Sequence, residues 1–429
     1  MRLSKSIPPV HQLNIDAPYP KWGALAAMAV LYVAPFITPL LALVAFAILV
    51  ARIVLYDAKV FAVDYAMMVP ITLLFQFEQM SLLLYLGLFA SVWFFVVSPV
   101  KKGAHFYIFL IFLNYLILRM SLNVSGVILC AGQLLMMCVL LPLQSADSAR
   151  KLAQMFCYSI VLSSIYALAL RGSSVLFEIR GPEMPAYWGA TLRRFQGLFE
   201  DPNYYMTLIV TAMTLTMKLF ACGHFKLSQL IGMEIVLLCF GALTYSKTFF
   251  VAVLIMALTG IVWLYSHKKF MPAIICTVLA LGFLLYVIFS SSFFAVLIFR
   301  VESGNLDDFT TGRSEVFATY YRAISQDALS TLFGQGLDAP RLGKDPHNLY
   351  LEITYYLGLV GLLLMITLIG TIVYQVSKKS RKHDFVTKYL PLMMVLILYM
   401  ALHGIFSTVS YAIFFLAISS IMIERAEAE

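Results

Sequence analysis

The most regular feature of the chain is a succession of apolar runs, often about 20 residues long, separated by short polar segments. A helix that crosses a bilayer needs about 20 predominantly apolar residues, with a range of about 17–25. Strands of a membrane β-barrel would instead alternate apolar and polar positions. The continuous runs therefore predict an all-α polytopic membrane protein.

The pattern predicts about 14 spans, within a range of about 12–14. The first pair is ambiguous, because Pro35 and Pro39 mark either a tight turn between two short spans or a kink in one long helix. The predicted spans are 22–36, 39–55, 60–77, 79–99, 104–119, 122–143, 152–170, 203–220, 228–244, 248–266, 271–290, 349–375, 387–403 and 405–423.

Composition excludes most other classes of protein. Of the 429 residues, 62% are hydrophobic and 12% are charged, whereas soluble proteins carry about 45–50% apolar and about 25% charged residues. One soluble core cannot hide this excess, because single cores stop growing near about 250–300 residues. We therefore expect residues 1–429 to form a single membrane domain, and not a soluble enzyme, a disordered chain or a fibrous repeat.

Lysine and arginine positions predict the orientation of the spans. The pairs 101–102, 150–151 and 268–269 and the basic run 378–382 fall on the same side as the N-terminus, which predicts that both termini are cytoplasmic. Two long loops, 171–202 and 291–348, fall on the other side, and loops of this length are usually functional. The net charge of +8 fits cytoplasmic anchoring, and without a long basic run it predicts no nucleic-acid partner.

Metal and cofactor chemistry finds little support in the sequence. The six cysteines form no CxxC pair and lie in or beside apolar runs, so we expect small buried side chains and no disulfide. No Asp-x-Asp motif and no His/Cys cluster with metal-ligand spacing occurs. The sequence predicts no metal and no cofactor.

Charged residues also fall within or beside the predicted spans. Asp64, Glu78, Glu234 and His403 are the examples. Each could be a bundle residue with its polar atoms satisfied, a boundary residue or part of a polar path, and we favour the first two interpretations.

The end of the second loop carries a histidine at a helix start. His347 and Asn348 follow Pro346 and precede the apolar run that begins at Leu349. A histidine here titrates near neutrality and could act as a general base. The alternative is an interfacial residue that only caps the helix.

Two further segments place cations beside predicted spans. Arg193 and Arg194 precede Asp201, which can cap the next helix, and arginines beside a helix N-terminus suit an anion. Lys247 lies between two hydroxyl residues at a short turn and could hold a phosphate. Their alternatives are an ordinary cap with interfacial arginines and a snorkelling lysine.

A surface helix is predicted within the second loop, near 313–333. Phe317, Tyr320, Ile324 and Ala328 share one helical face. Arg313 begins the same face, whereas Arg322 and Glu315 point away from it.

Four segments resemble the O-antigen ligase and polymerase family of bacterial envelope glycosyltransferases, over about residues 190–365. Their order, spacing and predicted sidedness agree, which makes the set more specific than any single motif. One departure is Lys247, where the family often has an arginine with its bidentate fork. The matching residues are Arg194-x-x-Gly197 with Asp201-Pro202-Asn203, then Ser246-Lys247-Thr248, then Gly312-Arg313 with Gly334-x-Gly336, and finally His347-Asn348-x-Tyr350-Leu351-Glu352 with Gly358-x-x-Gly361.

The resemblance implies a membrane glycosyltransferase of the class built on membrane helices (GT-C-like), in the bacterial inner membrane with a periplasmic active site. The donor would be an oligosaccharide linked to undecaprenyl pyrophosphate. The acceptor would be a second lipid-linked repeat unit for a polymerase, or the lipid A core for a ligase. Membrane lipid and a chain-length regulator protein are further implied partners, and no metal takes part.

The resemblance also implies residue roles. His347 would be the catalytic base, and Arg194 and Arg313 would bind the pyrophosphate. Residues implied to line the pyrophosphate and glycan site are Arg193, Asn203, Lys247, Asn348 and Glu352.

Other functions remain open at this level. The full Arg-x-x-Gly and Asp-Pro-Asn segment favours a polymerase over a ligase. A lipid-linked oligosaccharide flippase would also be a basic bundle of many spans, but it should show internal repeats and charges along a central cavity. The sequence shows no internal repeat, and its cations gather in the predicted outer loops. A bare scaffold subunit would not account for either long loop.

The orientation prediction can be tested with single cysteines at Ser173 and Gly304 in a cysteine-free background. Both should react with an impermeant maleimide in cells with a permeabilised outer membrane and an intact inner membrane. A cysteine at Lys269, on the predicted cytoplasmic side, should react only after the inner membrane is disrupted. Labelling at one of the two loops alone would show that the span count between them is wrong.

Overall fold

The computed structural model describes most of the chain. Described are residues 20–78, 80–98, 103–120, 124–171, 194–199, 201–266, 313–380, 385–402 and 404–426, the backbone of 183–185 and 191–193, and the single residues 268, 270, 274, 277 and 281. Nearly all of the predicted span 271–290, all of 291–312 and most of 171–202 lie outside the described residues, as does His403.

Within this part the protein is almost entirely helical. The helices are α1 (Lys21–Ile37), α2 (Leu41–Leu55), α3 (Ala58–Met68), α4 (Leu82–Val97), α5 (Ala104–Leu118), α6 (Val124–Leu140), α7 (Ala146–Ala169), α8 (Pro202–Ala221), α9 (Leu227–Ala242), α10 (Lys247–Ser266), α11 (Arg313–Ile324), α12 (Ala328–Phe333), α13 (Leu349–Lys379), α14 (Phe385–Leu398) and α15 (Thr408–Ser419). Two antiparallel hairpins pair β1 (Gln76–Phe77) with β2 (Met80–Ser81) and β3 (Glu183–Pro185) with β4 (Thr191–Arg193).

Length and apolar character make this an all-α membrane protein. Five helical segments of the described chain are long and apolar enough to cross a bilayer: α7, α8, α10, α13 and α6 with its 3-10 extension to Leu143. Seven shorter apolar helices have 10–17 residues. The expected all-α membrane class is therefore confirmed.

The first predicted pair of spans is two helices and not one kinked helix. Pro35 lies inside α1, which ends at Ile37. Leu41 and Ala42 donate backbone hydrogen bonds to the carbonyls of Thr38 and Pro39, closing a tight turn before α2. The two helices then pack against each other.

The predicted span 60–77 is shorter than the apolar run suggested. Helix α3 ends at Met68 and tightens into a 3-10 turn that contains Pro70, which has no backbone N–H to continue an α-helix. The chain then reverses in the β1–β2 hairpin, where Glu78 has a positive φ of 55°. The polar sequence around Glu78 forms the turn, so that residue belongs to a boundary and not to a span.

A buried ion pair joins α2 to α3. Arg52 donates two hydrogen bonds to Asp64, Nε to Oδ2 at 2.7 Å and Nη2 to Oδ1 at 3.0 Å. Both side chains are almost fully buried. Removing one partner of such a pair typically costs about 3–5 kcal/mol, because the other charge is left uncompensated.

Polar caps define the helix starts that matter for the site. Asp201 accepts a hydrogen bond from the backbone N–H of Asn203 at 2.6 Å, and Asn348 accepts one from Leu351 at 3.0 Å. Pro202 is the first residue of α8. Its fixed φ suits a helix, and its missing N–H would have had no partner within the helix. These caps confirm the helix starts predicted at 202 and 349.

Helix α13 is broken at Gly358. This residue has φ 68° and ψ −175°, so it separates a short segment, 349–357, from a long one, 359–379. The long segment of about 21 residues is about 31 Å long at about 1.5 Å per residue, which matches a hydrocarbon core of about 30 Å. The break exposes backbone carbonyls that a continuous helix would have used.

Those carbonyls bind the chain that follows α12. The backbone N–H groups of Gln335 and Gly336 donate to the carbonyls of Tyr355 (2.8 Å) and Tyr356 (3.0 Å). A Cβ on Gly334 would lie 2.5 Å from the nitrogen of Gly358, and a Cβ on Gly358 would lie 2.3 Å from the carbonyl oxygen of Leu332. Two bare backbones therefore meet here, and we call residues 332–336 with 355–358 the glycine junction.

The end of α5 reinforces the glycine junction. Tyr115 donates from its hydroxyl to the carbonyl of Leu357 at 2.5 Å. Arg119 donates from Nη2 to the carbonyl of Gly334 at 2.7 Å, and its own carbonyl accepts from the N–H of Leu337 at 2.9 Å. The loop that carries α11 and α12 is thereby attached to both α5 and α13.

The segment 313–333 forms two helices where the sequence predicted one. Helix α11 ends at Ile324, and Asp327 then caps α12 by accepting from the N–H of Ser330 at 2.7 Å. Tyr320 and Ile324 are buried as predicted, whereas Ala328, beyond the break, is exposed. The capping carboxylate starts a new helix and ends the predicted common face.

Buried lysines and the C-terminal segment close the end of the bundle away from the starts of α8 and α13. Lys218 donates to the carbonyl of Lys388 at 2.9 Å, and Lys388 donates to the carbonyl of Ser377 at 3.1 Å. The N–H of Ala426 donates to the carbonyl of Cys222 at 2.8 Å. We call this the lysine end, and the end where α8, α10 and α13 begin the site end.

Substituting Gly358→Ala should destabilise the protein by about 1–3 kcal/mol or more, because the residue has a positive φ and its Cβ would meet a backbone oxygen. Gly370→Ala is the matched control: Gly370 also lies in α13, but nothing lies within 4 Å of its Cβ position. The control should be neutral or stabilising by about 0.5–1 kcal/mol. Thermal unfolding in detergent measures both, and equal melting temperatures would contradict the glycine junction.

Candidate functional site

Arg194 lies at the centre of the polar groups at the site end. Its Nε donates to the carbonyl of Thr244 at 2.8 Å, and its Nη2 donates to Oδ1 of Asn203 at 3.2 Å. The same Asn203 oxygen accepts from the hydroxyl of Ser246 at 3.4 Å. Arg194 thus joins the start of α8 to the turn between α9 and α10 through one side chain, and it is half-buried.

The end of α9 fixes the segment that carries Arg194. A helix leaves its last carbonyls without partners inside the helix. Phe195 donates from its backbone to the carbonyl of Leu243 at 2.9 Å, directly beside the Arg194 bond to Thr244. Lys247 is the first residue of α10 and follows Ser246, the residue whose hydroxyl donates to Asn203.

Arg313 faces the Arg194 cluster from the start of α11. Burial lowers the pKa of the Arg194 guanidinium from its usual value. The negative charge of Asp201 raises this pKa, and the positive charge of Arg313 lowers it further. Burial likewise lowers the pKa of Arg313, and Asp201 again opposes. Both guanidiniums remain charged near neutral pH. Two cations are therefore held near one carboxylate.

Glu352 has a structural role that the sequence did not indicate. Its Oε2 accepts hydrogen bonds from the backbone N–H groups of Gly404 (2.5 Å) and Ile405 (3.1 Å), and the side chain is buried. It therefore holds the loop between α14 and α15. This oxygen binds backbone, whereas the family resemblance implied that Glu352 would bind the glycan.

Tyr204 bridges the starts of α8 and α13. Its hydroxyl lies against Gly404, where an added Cβ would be 2.2 Å away. Glu352 accepts a hydrogen bond from the backbone N–H of the same Gly404 at 2.5 Å. Tyr204 therefore contacts, from the start of α8, the loop that Glu352 of α13 holds.

His347 lies at the start of the short segment of α13. It has a positive φ of 46°, in the left-handed region where histidine is among the more frequent residues. Its side chain is half-buried, and its Nδ1 atom is buried. Beside it Asn348 caps α13, and Asp345 pairs with Arg341 at 3.5 Å. His347 and the capping residue Asn348 therefore lie at the helix start that the sequence predicted.

Tyr320 connects the Arg313 helix to the histidine segment. Its ring packs edge-on against Tyr355 with centroids 4.9 Å apart, and it is fully buried. Burial raises the pKa of Tyr320, and the negative charges of Asp345 and Glu352 raise it further. The helix that begins with Arg313 is therefore packed directly on the first turns of α13.

These contacts bring most of the predicted residues to one end of the bundle. Arg194, Asn203, Asp201 and Arg313 form one cluster, and Tyr204 and Tyr320 connect it to the segment of His347, Asn348 and Glu352. Arg322 is exposed. The side chain of Arg193, on strand β4, lies outside the described part of the chain.

Residues that the sequence did not single out as part of the site include Tyr204, Thr244, and the 404–405 backbone. Thr244 lies 50 positions from Arg194, and Gly404 and Ile405 lie 52 and 53 positions from Glu352, so their contribution depends on contacts between distant segments. Among the residues that the structure describes, no group of three or more His, Cys, Asp or Glu could hold a metal ion. The described polar groups offer cations, two asparagine amides, carboxylates, hydroxyls and an imidazole.

Comparisons with protein-family models, with curated proteins and with solved structures found no match to the chain.

Proposed function

We propose that the protein is an inner-membrane glycosyltransferase that transfers a glycan from undecaprenyl pyrophosphate to a sugar hydroxyl on the periplasmic face. The observation that carries this proposal is Arg194, which Thr244 and Asn203 fix at the start of α8, at the same end of the bundle as His347 and within the electrostatic influence of Arg313. A pyrophosphate is a dianion or more, and two guanidiniums with fixed positions suit it.

The transfer assigns one task to each group. His347 takes the proton from the acceptor hydroxyl. The oxygen of that hydroxyl forms a bond to the anomeric carbon at the same time. The bond from that carbon to the pyrophosphate oxygen breaks, and the electron pair leaves with the lipid-linked pyrophosphate. Arg194 and Arg313 stabilise the negative charge that grows on the leaving oxygen, which is where fixed cations lower a barrier most. The proposal assigns no metal to this displacement.

The finer topology belongs to this proposal. We propose about 12–14 spans, cytoplasmic termini, two periplasmic loops and a periplasmic site end. The lysine end, with Lys218 and Lys388, is then cytoplasmic. This orientation follows the positive-inside rule, and it places the described starts of α8, α10 and α13 where a lipid-linked donor presents its head group.

Polymerisation of O-antigen or related repeat units is the favoured reaction, and ligation to the lipid A core is the alternative. The glycan profile of a deletion strain separates them. Lipopolysaccharide capped with a single repeat unit indicates a polymerase, whereas bare core with accumulated lipid-linked polymer indicates a ligase. Bare core, with single lipid-linked repeat units accumulating on the cytoplasmic face, would support a flippase instead.

Alanine at either clustered arginine should lower kcat/KM strongly. Arg194→Ala and Arg313→Ala should each lose about 10²–10³-fold, as for one well-placed stabilising group. Arg322→Ala is the matched control, because it removes the same charge from the exposed side of α11. Transfer from a purified lipid-linked donor in proteoliposomes measures all three. Comparable losses at 313 and 322 would contradict the assignment of Arg313 to the leaving group.

Histidine 347 should be needed for transfer and not for donor binding. His347→Ala and His347→Gln should both lower the transfer rate by about 10²–10⁴-fold, since glutamine forms hydrogen bonds but cannot take the proton. Donor affinity, measured separately by titration of a labelled lipid-linked donor, should stay near that of the natural protein. A glutamine variant with most of its activity would show that His347 caps the helix or positions the glycan, and that the base is another residue.

A further inference from the structure

Helix α12 at the site end carries an exposed apolar face. Leu329, Leu332 and Phe333 are exposed by 70%, 45% and 39%. At about 100° per residue these three side chains cover an arc of about 100° on the helix, and Ser330 and Thr331 lie outside that arc. The short helix is therefore amphipathic, and we call Leu329, Leu332 and Phe333 the α12 face.

The end of α5 places lipid-facing side chains beside the α12 face. The hydroxyl of Tyr115 lies 3.2 Å from the carbonyl oxygen of Phe333. Ile111 and Leu118 lie four residues before and three residues after Tyr115, on the same side of α5. Leu118 is 80% exposed and Ile111 is 58% exposed. On an apolar helix of a membrane protein, such exposure indicates contact with lipid.

The membrane-length segment of α13 adjoins the α12 face in the same way. Leu359, Leu363 and Ile366 share one side of this segment, and all three are exposed. Through the glycine junction, the backbone of Leu332 meets that of Gly358, directly before this row of side chains begins. The lipid-facing surfaces of two helices therefore continue onto α12.

The break in α13 also gives the depth of α12 in the membrane. The segment 359–379 matches the thickness of the hydrocarbon core, and Lys378 and Lys379 lie in its last turn. Gly358 therefore lies near the opposite edge of the core. Since α12 leads into the junction with Gly358, it lies at the boundary between headgroups and acyl chains, where amphipathic helices bury their apolar side by about 5–10 Å.

The size of the α12 face argues against a protein partner. Each partner of a stable protein interface buries about 800 Å², which is much more than three partly exposed side chains offer. Lipid needs no minimum contact area, because it already covers the neighbouring surfaces of α5 and α13.

We propose that α12 lies in the membrane surface, with Leu329, Leu332 and Phe333 inserted among the acyl chains of the leaflet at the site end. This inference goes beyond the proposed function and requires only a membrane protein.

The insertion of α12 sets the height of the neighbouring helix α11 relative to the lipid headgroups. Thr331 donates from its hydroxyl to the carbonyl of Ile324 at 3.0 Å, and Gln335 donates from Nε2 to the carbonyl of Ala323 at 2.9 Å. Because these bonds attach α12 and the residues after it to the end of α11, Arg313 at the start of α11 is held near the membrane surface.

Spin labels on single cysteines test the insertion directly. Leu329→Cys and Leu332→Cys are labelled in the cysteine-free full chain, in nanodiscs of phosphatidylethanolamine and phosphatidylglycerol. Gln326→Cys is the matched control, because Gln326 is also exposed but precedes the cap of α12. Power saturation compares collisions with oxygen, which concentrates in lipid, with collisions with a water-soluble nickel chelate. The ratio of oxygen to nickel collisions should be several-fold higher at 329 and 332 than at 326.

Two results of this experiment would overturn the proposal. Equal ratios at all three positions would show that water covers the α12 face. Labels at 329 that reach neither reagent and couple to the label of a second copy would show that the face is an interface between copies of this chain.

A substitution gives a second test that needs no label. Leu329 lies in the first turn of α12, where an acidic residue favours a helix in water. Leu329→Asp should nevertheless lower the melting temperature in the same nanodiscs, because it places a charge among acyl chains. Gln326→Asp is the control and should leave the melting temperature unchanged, since both positions lie within two residues of Asp327 and its charge. A melting temperature of Leu329→Asp that is unchanged or raised would refute the insertion.

Discussion

The contact between the backbones of Gly334 and Gly358 is the constraint on which the arrangement of the site depends. It converts α13 from one long helix into a membrane-length segment and a short segment, 349–357, which His347 precedes by two residues. The carbonyls released by the break are satisfied by the loop that follows α12. Since α11 belongs to the same loop, the position of Arg313 relative to His347 is set by backbone hydrogen bonds, which tolerate less displacement than contacts between flexible side chains.

Polar groups around the site are held by one another and by backbone, which limits their motion. Two nitrogens of Arg194 donate hydrogen bonds, one to Thr244 and one to Asn203. Glu352 is engaged by the loop between α14 and α15. Charges fixed in advance by partners of this kind need little reorganisation when a new charge develops beside them. A half-buried setting strengthens the effect, because less water screens the charge.

Local features of the sequence predicted the local features of the fold. Apolar runs gave the helices, and the Asp201 and Asn348 caps marked two of their starts. The prediction of one span over 60–77 was wrong. Apolar content cannot distinguish a spanning helix from a short buried one that ends just before Pro70. The prediction of one continuous helix at 313–333 overlooked Asp327, whose carboxylate caps a second helix.

What the sequence could not predict depends on partners far along the chain. The Gly334-x-Gly336 and Gly358 motifs were visible, but their mutual contact requires two segments to meet across a loop. The role of Glu352 in holding the loop between α14 and α15 could not be predicted, because its backbone partners lie 52 and 53 positions away. Tyr204 gave no pattern at all, and the helical face that contains Tyr320 did not show that this ring packs on Tyr355, because sequence alone does not identify the partner of an aromatic residue.

The ion pair of Arg52 and Asp64 has a consequence for biogenesis. Asp64 lies in the middle of α3, and a lone charge at the centre of a membrane helix costs about 2.5–3.5 kcal/mol on insertion scales. Its counter-charge, Arg52, lies in the last turn of α2, 12 residues earlier, and is therefore synthesised first. The pair offsets this cost only when the two helices lie together, so we expect α2 and α3 to leave the translocon together.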